Sequence, residues 1–222
     1  MLTKTSFNVS LDTIEIAKNN LPSDEFRLTI NKPTGDFFYD PWIIKDEYKN
    51  TVWETILKSL GTIHGEARII LLDEGNCYQS HSDIDNRYHL NISGTDCYIA
   101  DLLSSKLHQL KADGHWYYMD AGKKHSAANF GRGVRAQLVV RCLLLNGHKG
   151  KFVPVTIEST LDDKEESRYR FDMHISPELN KQNKYQWMRN FKILDASVSF
   201  EVSSESLSSL RSCIPEGFIL HE

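Results

Sequence analysis

Hydrophobic positions along this chain follow two different periods, and the change of period marks out its organisation. Between residues 46 and 60, Val52, Ile56 and Leu60 recur at intervals of four, with Trp53 and Leu57 alongside. That spacing places an apolar stripe on one helical face, and Gly61 stands where a helix commonly stops. The spacing therefore predicts one helix over 46–60. Upstream, residues 6–10 alternate apolar and polar, which predicts a short strand, and Ser10 can cap a helix reaching about Asn20. Residues 31–42 are crowded with turn formers and aromatics: Pro33, Gly35, Phe37, Phe38, Tyr39, Pro41 and Trp42.

From about residue 62 to 146 the helical period disappears. Strand-like runs at 67–72, 88–92, 115–119 and 134–145 are punctuated by Gly75, Gly94, Gly114, Gly122, Gly131, Gly133 and Gly147. Many short strands at close spacing predict a sandwich or barrel. Residues 102–110 fit a strand or a short helix equally well. In the last part, the charge-rich stretch 159–167 predicts a loop, 177–190 a helix with Pro177 in its first turn, 191–202 a strand and 204–213 a short helix. The expected organisation is a β domain with a helical entry segment over 1–148, followed by an α+β extension over 149–222.

Composition narrows the class of protein. The chain has 222 residues, 40% of them apolar, and a net charge of −4. It can bury a substantial core, and it carries no general excess of positive charge to draw it to nucleic acid or an anionic membrane. Cys77, Cys97, Cys142 and Cys213 are widely spaced without a CxxC pair, which argues against a structural zinc site. The first residues lack the apolar run of a signal peptide, and no stretch is long enough to cross a bilayer. A cytoplasmic location with reduced thiols is the expectation.

The candidate chemistry lies in the β region. His81-Ser82-Asp83, then His125, then Arg135 supply two imidazoles, a carboxylate and a guanidinium. Two histidines and one carboxylate are the donor set that holds non-haem Fe(II) with open positions. If residues 81–83 are extended, His81 and Asp83 point to one side. On a continuous strand Asp85, Arg87, His89 and Asn91 would share that side, opposite Ile84, Tyr88, Leu90 and Ile92. The apolar side must face a core; the polar side faces solvent or lines a cavity. Arg135 offers a permanently charged fork suited to a carboxylate. Arg132, between two glycines, and Arg141, at the same strand parity, compete for that role, and Arg135 is preferred. The aromatic run at 37–42 could cover a pocket mouth or simply pack on the barrel.

The series His81-x-Asp83, Arg87-Tyr88-His89-Leu90, Gly114-His115-Trp116-Tyr117, His125-Ser126-x-x-Asn129 and Arg135-x-x-Leu138-Val139 resembles the aspartyl/asparaginyl β-hydroxylase family of Fe(II)/2-oxoglutarate-dependent dioxygenases. The likeness covers roughly residues 65–142. It implies a mainly β protein with flanking helices, built on a double-stranded β-helix: a jelly-roll, cupin-like core. It implies Fe(II) on His81, Asp83 and His125, the distal carboxylate of 2-oxoglutarate on Arg135, a second basic contact from Arg87, and His89 lining the pocket. The implied activity is hydroxylation of an amino acid, free or within a peptide or protein, with release of succinate and CO2. The same barrel also hosts non-catalytic small-molecule binding modules and metal-dependent cupin enzymes that ignore 2-oxoglutarate.

Overall fold

The computed structural model describes residues 1–22, 26–147 and 150–222. The chain opens with β1 (Leu2–Asn8), α1 (Leu11–Lys18), β2 (Arg27–Thr29), β3 (Asn31–Pro33), β4 (Trp42–Ile44) and α2 (Val52–Ser59). There follow β5 (Ala67–Leu72), β6 (Arg87–Ser93), β7 (Cys97–Asp101), β8 (Lys106–Gln109), β9 (His115–Met119), β10 (His125–Asn129) and β11 (Arg135–Arg141). The last part holds β12 (Phe152–Ser159), α3 (Lys164–Arg170), α4 (Ser176–Lys184), β13 (Met188–Ile193), β14 (Ser197–Ser203), α5 (Leu207–Cys213) and β15 (Phe218–His221).

The described residues form two compact units. The first holds Met1–Ser80, Asn86–Asp120 and His125–Leu143. The second holds His81–Asp85, Ala121–Lys124 and the chain from Leu144 on. The division expected between residues 148 and 149 falls on residues outside those described.

In the first unit, one sheet runs β1-β9-β6-β11-β5-β2 and another β10-β7-β8, all antiparallel. A bridge from Cys77 to Ala128 adds the segment before His81 to the edge of the smaller sheet. From β5 to β11 the chain passes back and forth between the two sheets, staying in the smaller one only for the β7-β8 hairpin, and the central order β9-β6-β11-β5 pairs strands distant in sequence. That winding is a double-stranded β-helix. The protein is mainly β with few helices, as the sequence leads one to expect.

Strand parity divides the larger sheet into two unlike faces. Ala67, Ile69, Leu90, Ile92, Trp116, Ala136, Leu138 and Val140 share one face and pack with Ile14 and Ala17 of α1 and Trp53, Ile56 and Leu57 of α2. This is the hydrophobic core, and it lies on the outside of the roll. Trp116 can be wholly buried there because its indole N–H donates to Ser59 Oγ at 3.0 Å. The opposite face carries Arg68, His89, Asn91, Arg135 and Gln137, all of them buried. The polar side of β6 therefore lines the interior of the roll rather than solvent.

Several local expectations need correction. The stretch 46–60 is not one helix: a 3-10 turn spans Asp46–Tyr48, Asn50 is left-handed at φ 58°, and Thr51 caps α2 by accepting from Trp53 N. Residues 102–110 resolve into a turn followed by β8. The charged stretch 159–167 is only partly loop, because the Asp163 carboxylate accepts from Glu165 and Glu166 N–H and starts α3. A π turn at Phe171–Ile175 leads into α4, which stops at Lys184, short of Asn190. The strand expected over 191–202 is a hairpin, with β13 and β14 flanking residues 194–196. With β12 and β15 these form the second unit's own sheet, β13-β14-β12-β15.

If the outer face of the larger sheet is the main core, Leu138→Ala should cost about 2–5 kcal/mol. Urea denaturation would show this as a lowered midpoint at an unchanged slope; a loss below about 1 kcal/mol would place the core elsewhere.

Candidate metal centre

His125 opens β10, whose register places it opposite Asp101 of β7. On this strand His125, Ala127 and Asn129 alternate with Ser126 and Ala128, and His125 is 3% exposed. The strand is held at its neck by Tyr78 N–H donating to Ala127 O at 2.8 Å and by Ser126 Oγ donating to Tyr78 O.

His81 and Asp83 come from a short segment that bends at residues 84–85 and does not continue into β6. The bend breaks the single-strand parity expected across residues 81–91. Asp83 is instead fixed through its backbone: its N–H donates to Ala121 O at 2.8 Å, and its carbonyl accepts from Asn180 Nδ2 at 3.1 Å. Asn180, on α4, is 3% exposed. Gly122 makes its approach possible, since a Cβ there would stand 2.5 Å from the Asn180 side chain. Neither Asn180 nor Gly122 carries any sequence signal for this role.

The outcome is a cluster. One ligand atom from each of His81, Asp83 and His125 lies within 4.8 Å of the others, and His81 Nε2 stands 3.8 Å from Asp83 Oδ2. Two imidazole nitrogens and a carboxylate oxygen at that spacing are within reach of one cation. Histidine nitrogens with a carboxylate oxygen are a donor set that divalent transition metals take, so the grouping could bind a metal ion.

Arg135 and His89 lie on the buried polar face of the larger sheet. Arg135 is 3% exposed, and its Nη2 donates to Gln137 Oε1. Its Nε has no hydrogen-bond partner, and no carboxylate is paired with it among the described residues. Burial pushes its pKa down to about 10, so it keeps its charge at neutral pH. His89 Nδ1 also faces Gln137 Oε1, at 3.4 Å. Because that oxygen is an acceptor, the proton belongs on Nδ1, and Nε2 presents a lone pair with no partner. Burial first, and Arg135 second, push the His89 pKa down to about 3. His89 is therefore neutral.

Arg87 stands opposite Arg141 on β11 and beside Met119 on β9, with the parity of His89. Arg141 is occupied differently from Arg135: its guanidinium lies over the rings of Phe37 and Phe38 at 4.8 and 4.9 Å and 3.8 Å from Glu66. The aromatic run thus packs on an arginine of the roll. Gln137 and Tyr78 escaped the sequence reading. Gln137 was within its reach, two positions from Arg135 on the same face. Tyr78 was not, because its place beside β10 comes from backbone pairing with Ala127 and Ala128, far away in the chain.

No protein-family model matches this chain, and no curated protein does. Among solved structures, a crystal structure of CapF with the inhibitor 3-isopropenyl-tropolone is similar over 57% of this chain and 34% of that one, at 14% identity and a TM-score of 0.32. The chain thus spans about a third of the length of that protein. A likeness at that score carries no argument, and the roll is assigned from its strand order.

The cluster should bind one equivalent of Fe(II), or of Co(II) as a spectroscopic stand-in. Asp83→Ala or His125→Ala should lower the affinity by more than the roughly 10–100-fold that outer partners of a metal site contribute. His89→Ala should retain the metal. Equal loss in all three variants, read by anaerobic titration, would show that the cluster is not the ligand set.

Proposed function

We propose that this protein is an Fe(II)- and 2-oxoglutarate-dependent oxygenase that hydroxylates an amino acid, free or within a peptide or protein, in the manner the aspartyl/asparaginyl β-hydroxylase likeness implies. The observation that carries the reading is Arg135. A guanidinium that is 3% exposed and paired with no carboxylate among the described residues is costly unless an anion joins it. It sits on β11, the strand that follows β10 and its His125. A carboxylate of a bound acid would supply the partner that Arg135 lacks.

In this reading His81, Asp83 and His125 hold the iron, and Arg135 pairs with the distal carboxylate of the co-substrate. Iron, 2-oxoglutarate and O2, when bound, would together supply the oxidising power that turns a C–H bond into C–OH: one oxygen atom of O2 would enter the product and the other succinate, with CO2 released. What the chain itself does is positional. Gln137 accepts from Arg135 and so fixes the fork in place. Arg87 adds positive charge on the same face. His89 is neutral, with its Nε2 lone pair free, so it lines the site and shapes it rather than pairing with a carboxylate. The buried inner face keeps bulk water from the anion, which strengthens the Arg135 contact. We place the protein in the cytoplasm, with no nucleic-acid or membrane partner.

Anaerobic titration of 2-oxoglutarate into the Fe(II)-loaded protein should develop a metal-to-ligand charge-transfer band. Arg135→Met should raise the dissociation constant by about 10–100-fold, the range for losing a hydrogen-bonded charge pair, while leaving metal stoichiometry unchanged. An unchanged constant would remove Arg135 from the site. Absence of the band in the unmodified protein would favour a metal-binding cupin that does not use 2-oxoglutarate.

A further inference from the structure

Hydrogen bonds on the inner face of the larger sheet have a direction, and it follows from groups that can play only one role. A guanidinium only donates, so the Gln137 atom that receives Arg135 Nη2 is the amide oxygen, Oε1. The same oxygen faces His89 Nδ1 at 3.4 Å, so that nitrogen carries the ring's proton. Burial keeps the ring neutral, which leaves Nε2 a bare acceptor. A backbone carbonyl only accepts, so the Asn91 atom that reaches Gly94 O at 3.2 Å and Leu110 O at 3.1 Å is the amide nitrogen. Asn91 Oδ1 is thereby fixed as the other end of that amide.

The groups left over sort by strand. On β6, His89 Nε2 and Asn91 Oδ1 are buried acceptors with no hydrogen-bond partner. On β11, Arg135 Nε and Gln137 Nε2 are buried donors with none. His89 and Asn91 are 5% and 0% exposed and share one face of β6, and Asn91 stands opposite Gln137 in the ladder. Buried polar atoms are almost always satisfied. Arg135 calls for an anion, whereas the two β6 atoms call for groups that bring a hydrogen. A carboxylate has none to give, so it cannot satisfy either of them.

We propose that His89 and Asn91 are specificity-determining residues for the substrate: His89 Nε2 and Asn91 Oδ1 each receive an N–H or O–H of the amino acid, and Gln137 is the positioning residue that holds His89 in its accepting tautomer. The inference rests on the oxygenase reading above and adds which part of the substrate faces β6, a nitrogen or hydroxyl rather than a carboxylate. Gln137 has to be a neutral amide for this role. A carboxylate in its place would neutralise Arg135, and an apolar side chain would leave the His89 proton able to move to Nε2.

Nitrogen NMR of histidine-labelled, Zn(II)-loaded protein reads the tautomer directly, with the His89 signals identified by their loss in His89→Phe. The unmodified protein should show a protonated Nδ1 and a bare Nε2. Adding 2-oxoglutarate should leave that pattern in place. The standard amino acids and their N-acetyl amides, added one at a time, should include a binder that moves the Nε2 signal, as a lone pair that accepts a hydrogen bond does. Gln137→Met keeps the length and removes the oxygen. It should divide the proton between the two nitrogens and weaken that binder by about 10-fold, the consequence of losing one hydrogen bond. A proton on Nε2 in the unmodified protein, or no probe that moves its signal, overturns the proposal. An unchanged tautomer in Gln137→Met removes Gln137 from it. The first reading needs no variant, so it decides the matter even if Gln137→Met does not fold. A protein that binds no 2-oxoglutarate yet keeps a bare Nε2 would overturn the co-substrate reading and leave the acceptor assignment standing.

Discussion

The constraint on which this structure turns is the alternation of side chains in three adjacent strands. In β5, β6 and β11, every second residue is apolar and packs outward against two helices. The residues between them include Arg68, His89, Asn91, Arg135 and Gln137, and these are buried too, beside the apolar Leu72 and Val139. A sheet that buries both faces usually does so with apolar side chains on each. Here one face forms the core and supports the roll, which frees the other face to be polar. Burying guanidinium and imidazole groups without full partners opposes folding, and the outward core of Leu90, Leu138, Trp116 and their neighbours offsets that cost.

Seen this way, the site and the fold are two sides of the same strands. Arg135 and Gln137 alternate with Ala136 and Leu138, and His89 alternates with Tyr88 and Leu90. The two sides need one register: a one-residue slip in β11 would send Arg135 into the helices and Leu138 into the roll. The long-range pairings β11 with β5 and β11 with β6 hold that register. The His81–Asp83 segment obeys a different logic. It is not set by strand parity but is pinned from its backbone by Ala121 and Asn180.

How much of this could be read in the sequence follows from the same physics. The β character of the middle region and the two-faced strand 88–92 were legible because period two is a local property. So was the grouping of His81, Asp83 and His125, since few residue sets offer that donor chemistry in that order. Element ends were less legible. The helix over 46–60 was misjudged because its apolar spacing continues across Asn50, whose left-handed backbone and the Thr51 cap start the helix later. The helix in 159–167 was hidden because an Asp cap and charged first-turn residues look like a solvated loop until the capping hydrogen bonds are seen. Tyr78 and Asn180 could not be found at all. Their meaning comes from contacts between residues far apart in the chain.

The central claim is that Arg135, on the roll's inner face, takes a carboxylate of a bound acid. The most direct measurement is a crystal structure grown without oxygen in the presence of Mn(II) and N-oxalylglycine, an inert stand-in for 2-oxoglutarate. The account predicts density for one ion held by His81, Asp83 and His125, and for an extended diacid whose far carboxylate lies against the Arg135 guanidinium. A metal elsewhere, or an Arg135 paired with a carboxylate of the protein itself, would contradict it.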